Sequence, residues 1–64
     1  MRIDRIKLVS ELARRGWTMK KLSEESGVSR QTLCYIKGGK CCTDEVGEKI
    51  ANGFGMTVEA LLED

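Results

Sequence analysis

The sequence predicts an all-α domain of five short helices, and three observations carry that prediction. Apolar residues recur at helical spacing of three and four nearly everywhere, as in Ile6, Val9 and Ala13 with Leu8 and Leu12. No stretch alternates apolar with polar residues as a half-buried strand does. Glycine falls just before each new helix start, at Gly16, Gly27, Gly38-Gly39 and Gly55, where a left-handed helix end favours it. The 64 residues make one small domain, 1–64, and its connections are too short for a linker. A chain of this length buries only about 60% of the surface it exposes when unfolded, so its core is thin. A deep internal substrate pocket is not expected on that ground, nor are most enzyme architectures.

Four of the five helices have a start signal of the same kind: an apolar residue, a capping residue, and a second apolar residue four positions beyond the cap. The first helix is expected near 4–15, with Ile3-Asp4 and Leu8 as its staple. Trp17-Thr18 with Leu22 opens the second, near 18–26, and Val28-Ser29 with Leu33 opens the third, near 29–37. Its place in that staple makes Trp17 a core residue rather than a base-stacking one. The fourth, near 44–53, carries Gly47 and Gly53, each of which costs about 1 kcal/mol relative to alanine in a helix interior. Asp44, Glu45 and Glu48 suit the start of that helix through its dipole, with no need for a magnesium ion. Met56-Thr57 with Leu61 opens a fifth helix near 57–63.

Eleven Lys and Arg against ten Asp and Glu give a net charge of only +1, but the charges are divided along the chain. Residues 1–40 hold ten bases and four acids, a net of +6; residues 41–64 hold Lys49 and six acids, a net of −5. A basic front and an acidic back suit a module that docks one face on a polyanion, although a mixed solvated surface reads the same way from charge alone. Arg2, Asp4, Arg5, Lys7 and Glu11 stand where a signal peptide needs an apolar stretch, so a soluble, cytoplasmic chain is expected. Cys34, Cys41 and Cys42 are three thiols with no histidine and no Cys-x-x-Cys spacing, and a structural zinc site wants four ligands. Neighbouring cysteines make a strained bridge, so reduced thiols are expected, with no metal and no cofactor.

Helices two and three are separated by only Gly27-Val28, which forces a steep crossing, the helix-turn-helix geometry. Val28 packs inward from the turn, Leu22 anchors the second helix, and Leu33 and Ile36 anchor the third. With Leu33 at zero and 100° per residue, Ile36 falls near about 300°, Gln31 near about 160°, Tyr35 near about 200° and Cys34 near about 100°. The outward face of the third helix is therefore Gln31, Tyr35 and Cys34, with Arg30 on its shoulder.

The stretch from Gly16 to Leu33, GWTMKKLSEESGVSRQTL, combines a threonine cap, a leucine, a Gly-Val-Ser turn and apolar positions. Together with the ending Met56-Thr57-Val58-Glu59-Ala60-Leu61-Leu62, it resembles the lambda repressor and Cro family of helix-turn-helix proteins, the Xre family, over nearly the whole chain. The resemblance implies a compact five-helix lambda-repressor-like domain that regulates transcription, a phage or bacterial repressor, with its third helix in the DNA major groove. Ser29, Arg30, Gln31 and Tyr35 occupy the family's base-reading positions. Arg can bond guanine O6 and N7, Gln can pair with adenine N6 and N7, and Tyr can reach a phosphate or a thymine methyl. Phosphate contacts are implied for Thr18, Lys20 and Lys21 at the start of helix two, and for Lys37, Gly39 and Lys40 after helix three. Three positions depart from the family. Met19 stands where many members have glutamine, Cys41-Cys42 replace a segment often basic or proline-containing, and Ser23 replaces a small alanine, its hydroxyl able to bond back to a carbonyl.

The expected partner is a double-stranded DNA operator, with no membrane and no small-molecule substrate, and nothing in the chain resembles a nucleophile with its base. One helix reads too few base pairs for selectivity in a genome, so a homodimer is expected, at least on DNA. Its recognition helices would lie about 34 Å apart on a roughly palindromic site. The junction of the fourth and fifth helices, with Phe54, Met56 and Val58, and the fifth helix beyond it form the expected dimer surface, with a place in the core as the alternative for Phe54 and Met56. A protein-interaction or antitoxin-like module that kept the fold and lost DNA reading is the alternative, disfavoured by the outward Arg30 and Gln31. Because Cys34 shares the outward face, oxidation should weaken DNA binding; an affinity unchanged by peroxide treatment would exclude that role.

Overall fold

A computed structural model describes residues 1–63 and leaves Asp64 outside the described residues. Four α-helices follow in order: α1, Arg5–Arg15; α2, Met19–Ser26; α3, Arg30–Lys37; and α4, Asp44–Phe54. Among the described residues no strand forms; Ile3 and Leu62 make a single antiparallel bridge. Where a fifth helix is expected, the chain makes one 3₁₀ turn, Val58–Leu61. Thr57 makes no side-chain cap there, and the backbone beyond the turn is already committed. The Leu61 carbonyl accepts from the Asp4 amide at 2.7 Å, and the Glu63 amide donates to the Arg2 carbonyl at 3.2 Å. A helix running to 63 would draw the Glu63 amide onto the Glu59 carbonyl and break the second bond.

The other starts follow the capping chemistry. Asp4 accepts from the Ile6 and Lys7 amides, Thr18 from Lys21, and Ser29 from Thr32, each relieving first-turn donors that have no intrahelical partner. Thr43 does the same for α4 through the Val46 amide at 3.2 Å, although no apolar staple announces it in the sequence. Gly39, at φ +100°, ends α3: its amide donates to the Ile36 carbonyl at 2.9 Å while the Lys40 amide donates to Tyr35 at 3.0 Å. That pair of bonds satisfies the last carbonyls of α3 and turns the chain away.

Leu8, Leu12, Leu22, Val28, Leu33, Ile36, Ile50, Ala51 and Phe54 form the core, closed at one end by Ile3 and Leu61. The two apolar series of α1 part company. Leu8 and Leu12 face inward, whereas Ile6 is 71% and Val9 42% exposed, with Ala13 exposed beyond them. Trp17 is half-buried and stacks on Phe54, ring centres 5.6 Å apart, with the Arg15 guanidinium 5.4 Å and 5.0 Å from the two rings. This stack ties the start of α2 to the end of α4, and cation–π attraction adds to the burial of the rings.

The glycines that weaken α4 by propensity are points of close approach. A β-carbon at Gly53 would meet the backbone and Cβ of Ser26 at 3.0 Å, whereas the atoms nearest to one at Gly47 all belong to the flexible side chain of Met1. Alanine at either position gains about 1 kcal/mol of helix propensity. At Gly53, overpacking against backbone costs about 1–3 kcal/mol and outweighs that gain. Gly53→Ala should lower the thermal midpoint, while Gly47→Ala leaves it unchanged or raises it. Equal shifts for the two variants in a melting experiment would refute this account of the α2–α4 contact.

Candidate nucleic-acid interface

The turn between α2 and α3 is built from serines as well as from its apolar residues. Gly27, at φ +76°, ends α2, and Val28 is buried beneath the turn. The Ser23 hydroxyl donates to the Val28 carbonyl at 2.7 Å, so it bonds forward across the turn and not back along its helix. Ser26 donates to the Leu22 carbonyl at 2.7 Å and accepts from the Val28 amide at 3.2 Å. Two hydroxyls thus occupy the polar backbone of a segment whose side chain is in the core, which holds α3 at a fixed angle to α2.

Leu33 and Ile36 fix the rotation of α3, being essentially without solvent contact. The opposite face carries Arg30, Gln31, Cys34 and Tyr35, all exposed. Gln31 Nε2 donates to Tyr35 Oη at 3.1 Å, one helical turn away. That bond leaves the amide oxygen and the second N–H of Gln31 available, and the two side chains form a preset polar surface. Arg30 is in no ion pair among the described residues. Ser29 differs in character. Its hydroxyl accepts from the Thr32 amide at 3.2 Å and donates to Thr32 Oγ1 at 2.9 Å, so its first role is to start α3.

The candidate phosphate contacts fall in two places. At the start of α2, Thr18 is engaged as the cap, Lys20 is exposed, and Lys21 pairs with Glu25 at 3.3 Å with its ammonium 5.8 Å from the Trp17 ring centre. After α3, Lys37 and Lys40 are exposed, while the Gly39 amide is spent on the Ile36 carbonyl. Gly39 therefore shapes this loop and donates within it. Arg2 joins this second group, its guanidinium donating to the Gly39 carbonyl at 3.4 Å, and Arg5 lines one groove with Lys37. Neither arginine is legible as part of the site in sequence, because the segment before α1 and the first residue of α1 come beside the end of α3 only through long-range contacts.

On its other flank α3 borders an open, mainly apolar groove of about 610 Å³, between Tyr35 and Ile36 on one side and Cys41, Cys42 and Val46 on the other. The Cys42 amide donates to the Met1 carbonyl at 2.9 Å, which anchors that wall. All three cysteines are free thiols; Cys34 and Cys41 are exposed and Cys42 is half-buried. Among the described residues no group of three or more His, Cys, Asp or Glu is arranged to hold a metal ion. No helix among them is long and apolar enough to cross a membrane. Of the junction residues expected in the dimer surface, Phe54 belongs to the core, 3% exposed beneath Trp17, and only Met56 and Val58 reach the surface, both half-buried.

Comparison of the chain with protein-family models, curated proteins and solved structures gives no match.

Burial pushes the Cys42 thiol above its ordinary range, with Cys41 and Asp44 adding to the rise and the amino terminus opposing it. The thiolate is the reactive form, so at any pH below that raised value Cys42 holds less of it. At about pH 8, iodoacetamide should modify Cys34 and Cys41 ahead of Cys42, the lag shrinking as the pH rises. Peptide mapping that shows the three alkylated at one rate would contradict the burial of Cys42.

Proposed function

We propose that this chain is a sequence-specific DNA-binding transcriptional regulator, in which α2 and α3 act as a helix-turn-helix and α3 enters the major groove. The observation that carries the reading is the two-sidedness of α3. Its inner face is locked by Leu33 and Ile36, and its outer face presents Arg30, Gln31 and Tyr35 with Gln31 and Tyr35 already bonded to each other. Arginine and glutamine are the side chains that read guanine and adenine edges with paired bonds, and an orientation fixed before binding saves entropy on the DNA. The cations around α3 supply the sequence-independent part of the affinity. Lys20 lies before it, Lys37 and Lys40 after it, and Arg2 beside it. Each phosphate neutralised releases counterions, so affinity falls steeply with salt.

A second copy on a second half-site completes the reading, since one α3 spans too few base pairs. The Cα extents are 24 × 21 × 19 Å, and half-sites one DNA turn apart place two copies about 34 Å from centre to centre. At that spacing the copies meet only through their rims.

Selection from a randomised duplex pool followed by sequencing tests the proposal, with the winning site measured in a salt series for the wild type and for Gln31→Ala. The expected result is an enriched site of two half-sites, about 10-fold or greater loss of discrimination at one base pair in the variant, and affinity that falls with salt for both proteins. No enrichment, or binding indifferent to Gln31, would overturn the reading and leave α2 and α3 as the scaffold of a protein-interaction module.

A further inference from the structure

The outer face of α1 is apolar and unpartnered. Ile6 and Val9, 71% and 42% exposed, stand one turn apart with Ala13 exposed beyond them, and Ile6 and Val9 line an open groove toward the end of α3. The charged residues lining this groove are Arg5 and Lys37, both cations, and neither is in an ion pair among the described residues. Glu11, the nearest acid along α1, is taken by Arg14 at 2.8 Å and Arg15 at 3.2 Å. A second shallow groove of similar size, about 370 Å³ against about 350 Å³, lies between α4 and the 3₁₀ turn. Met56 and Val58, both half-buried, supply its apolar part beside Asn52 and Thr57, and its charged residues are Glu48 and Glu59, neither in an ion pair among the described residues. Lys49, the one base in this part of the chain, is held by Glu45 at 3.4 Å.

We infer that the occupant of the α1 groove is a second copy of this chain, docked through its Met56–Val58 groove, so that the protein associates front to back. A symmetric dimer places a patch against itself and therefore needs a self-complementary patch. Neither groove meets that requirement, because pairing either one with its own copy sets like charges together across a small apolar centre. Paired with each other, the grooves set Arg5 and Lys37 near Glu48 and Glu59 and give Ile6 and Val9 a partly apolar surface to cover. The contact is heterologous and adds copies in one direction. Its small area makes it weak, and salt weakens it further. The inference rests on these two surfaces alone and does not depend on the DNA reading.

Sedimentation of the chain without DNA, at loading concentrations from about 10 µM to about 1 mM, tests it. The wild type should show a mean mass that rises past the dimer without a plateau, and falls as salt is added. A front variant, Ile6→Ser with Val9→Ser, and a back variant, Glu48→Lys with Glu59→Lys, change exposed side chains only, and circular dichroism checks that each stays folded. Each variant alone should remain monomeric. An equimolar mixture of the two should form a dimer that grows no further, since one intact front meets one intact back. A wild type that is monomeric throughout would overturn the proposal. So would a dimer that plateaus at two copies and survives both variants, and so would a mixture that stays monomeric although the wild type associates.

Discussion

The buried face of α3 is the constraint on which the rest depends. Leu33 and Ile36 cannot turn outward without exposing apolar surface, at roughly 1.5–3 kcal/mol for each side chain. The rotation of α3 is therefore set by the core and not by anything the outer face binds. From that one setting follow the exposure of Arg30, Gln31 and Tyr35, the groove toward α4 beside Tyr35, and the groove toward α1 beside Lys37. The Gly27-Val28-Ser29 turn reinforces it from the N-terminal side, where Val28 enters the core and Ser23 and Ser26 satisfy the backbone around it. On the C-terminal side, Gly39 turns the chain off the helix axis at once.

So thin a core makes close approach between elements more valuable than helix propensity. Gly53 shows the exchange. Placed in the last turn of α4, it lowers the intrinsic stability of that helix but lets the backbone of Ser26 come into contact, and the end of α2 packs on α4 where a side chain would hold it off. Trp17 and Phe54 do the complementary work at the other end of α2, filling space with stacked rings under the Arg15 guanidinium. α2 is thus held against α4 at both ends, and α3 is held against α2 by the turn. The outer face of α3 is as rigid as this arrangement allows, which is the condition for the Gln31–Tyr35 pair to keep one orientation.

Much of this is written locally and was legible. The caps Asp4, Thr18 and Ser29, the glycine stops and the inward and outward faces of α3 depend on residues within a turn or two of each other, where side-chain chemistry alone decides. What the sequence hid is long-range. The segment before α1 pairs with residues 61–63 and with Cys42, and no local pattern encodes a bond between Asp4 and Leu61. Those bonds convert the expected fifth helix into a 3₁₀ turn and carry Arg2 to the end of α3. Phe54 was ambiguous for the same reason: beside Met56 and Val58 it reads as surface, until Trp17, 37 positions earlier, covers it. Thr43 went unnoticed because the position four beyond it is Gly47, so the apolar half of the start signal is missing.

Charge at the rims then bears on how two copies would share a site on DNA under the proposed reading. The palindrome expected from the family resemblance presupposes that some surface pairs with itself. The grooves at Ile6 and at Met56 are each bordered by one sign of charge, and repulsion between like charges is least screened where an apolar contact excludes water and salt. The front-to-back arrangement removes the conflict by giving each groove the opposite sign. A heterologous contact of that kind is not the two-fold relation that inverted repeats match. The way two copies would meet is thus linked to the placement of a few exposed charges on α1, on α4 and beside the 3₁₀ turn, away from the outer face of α3.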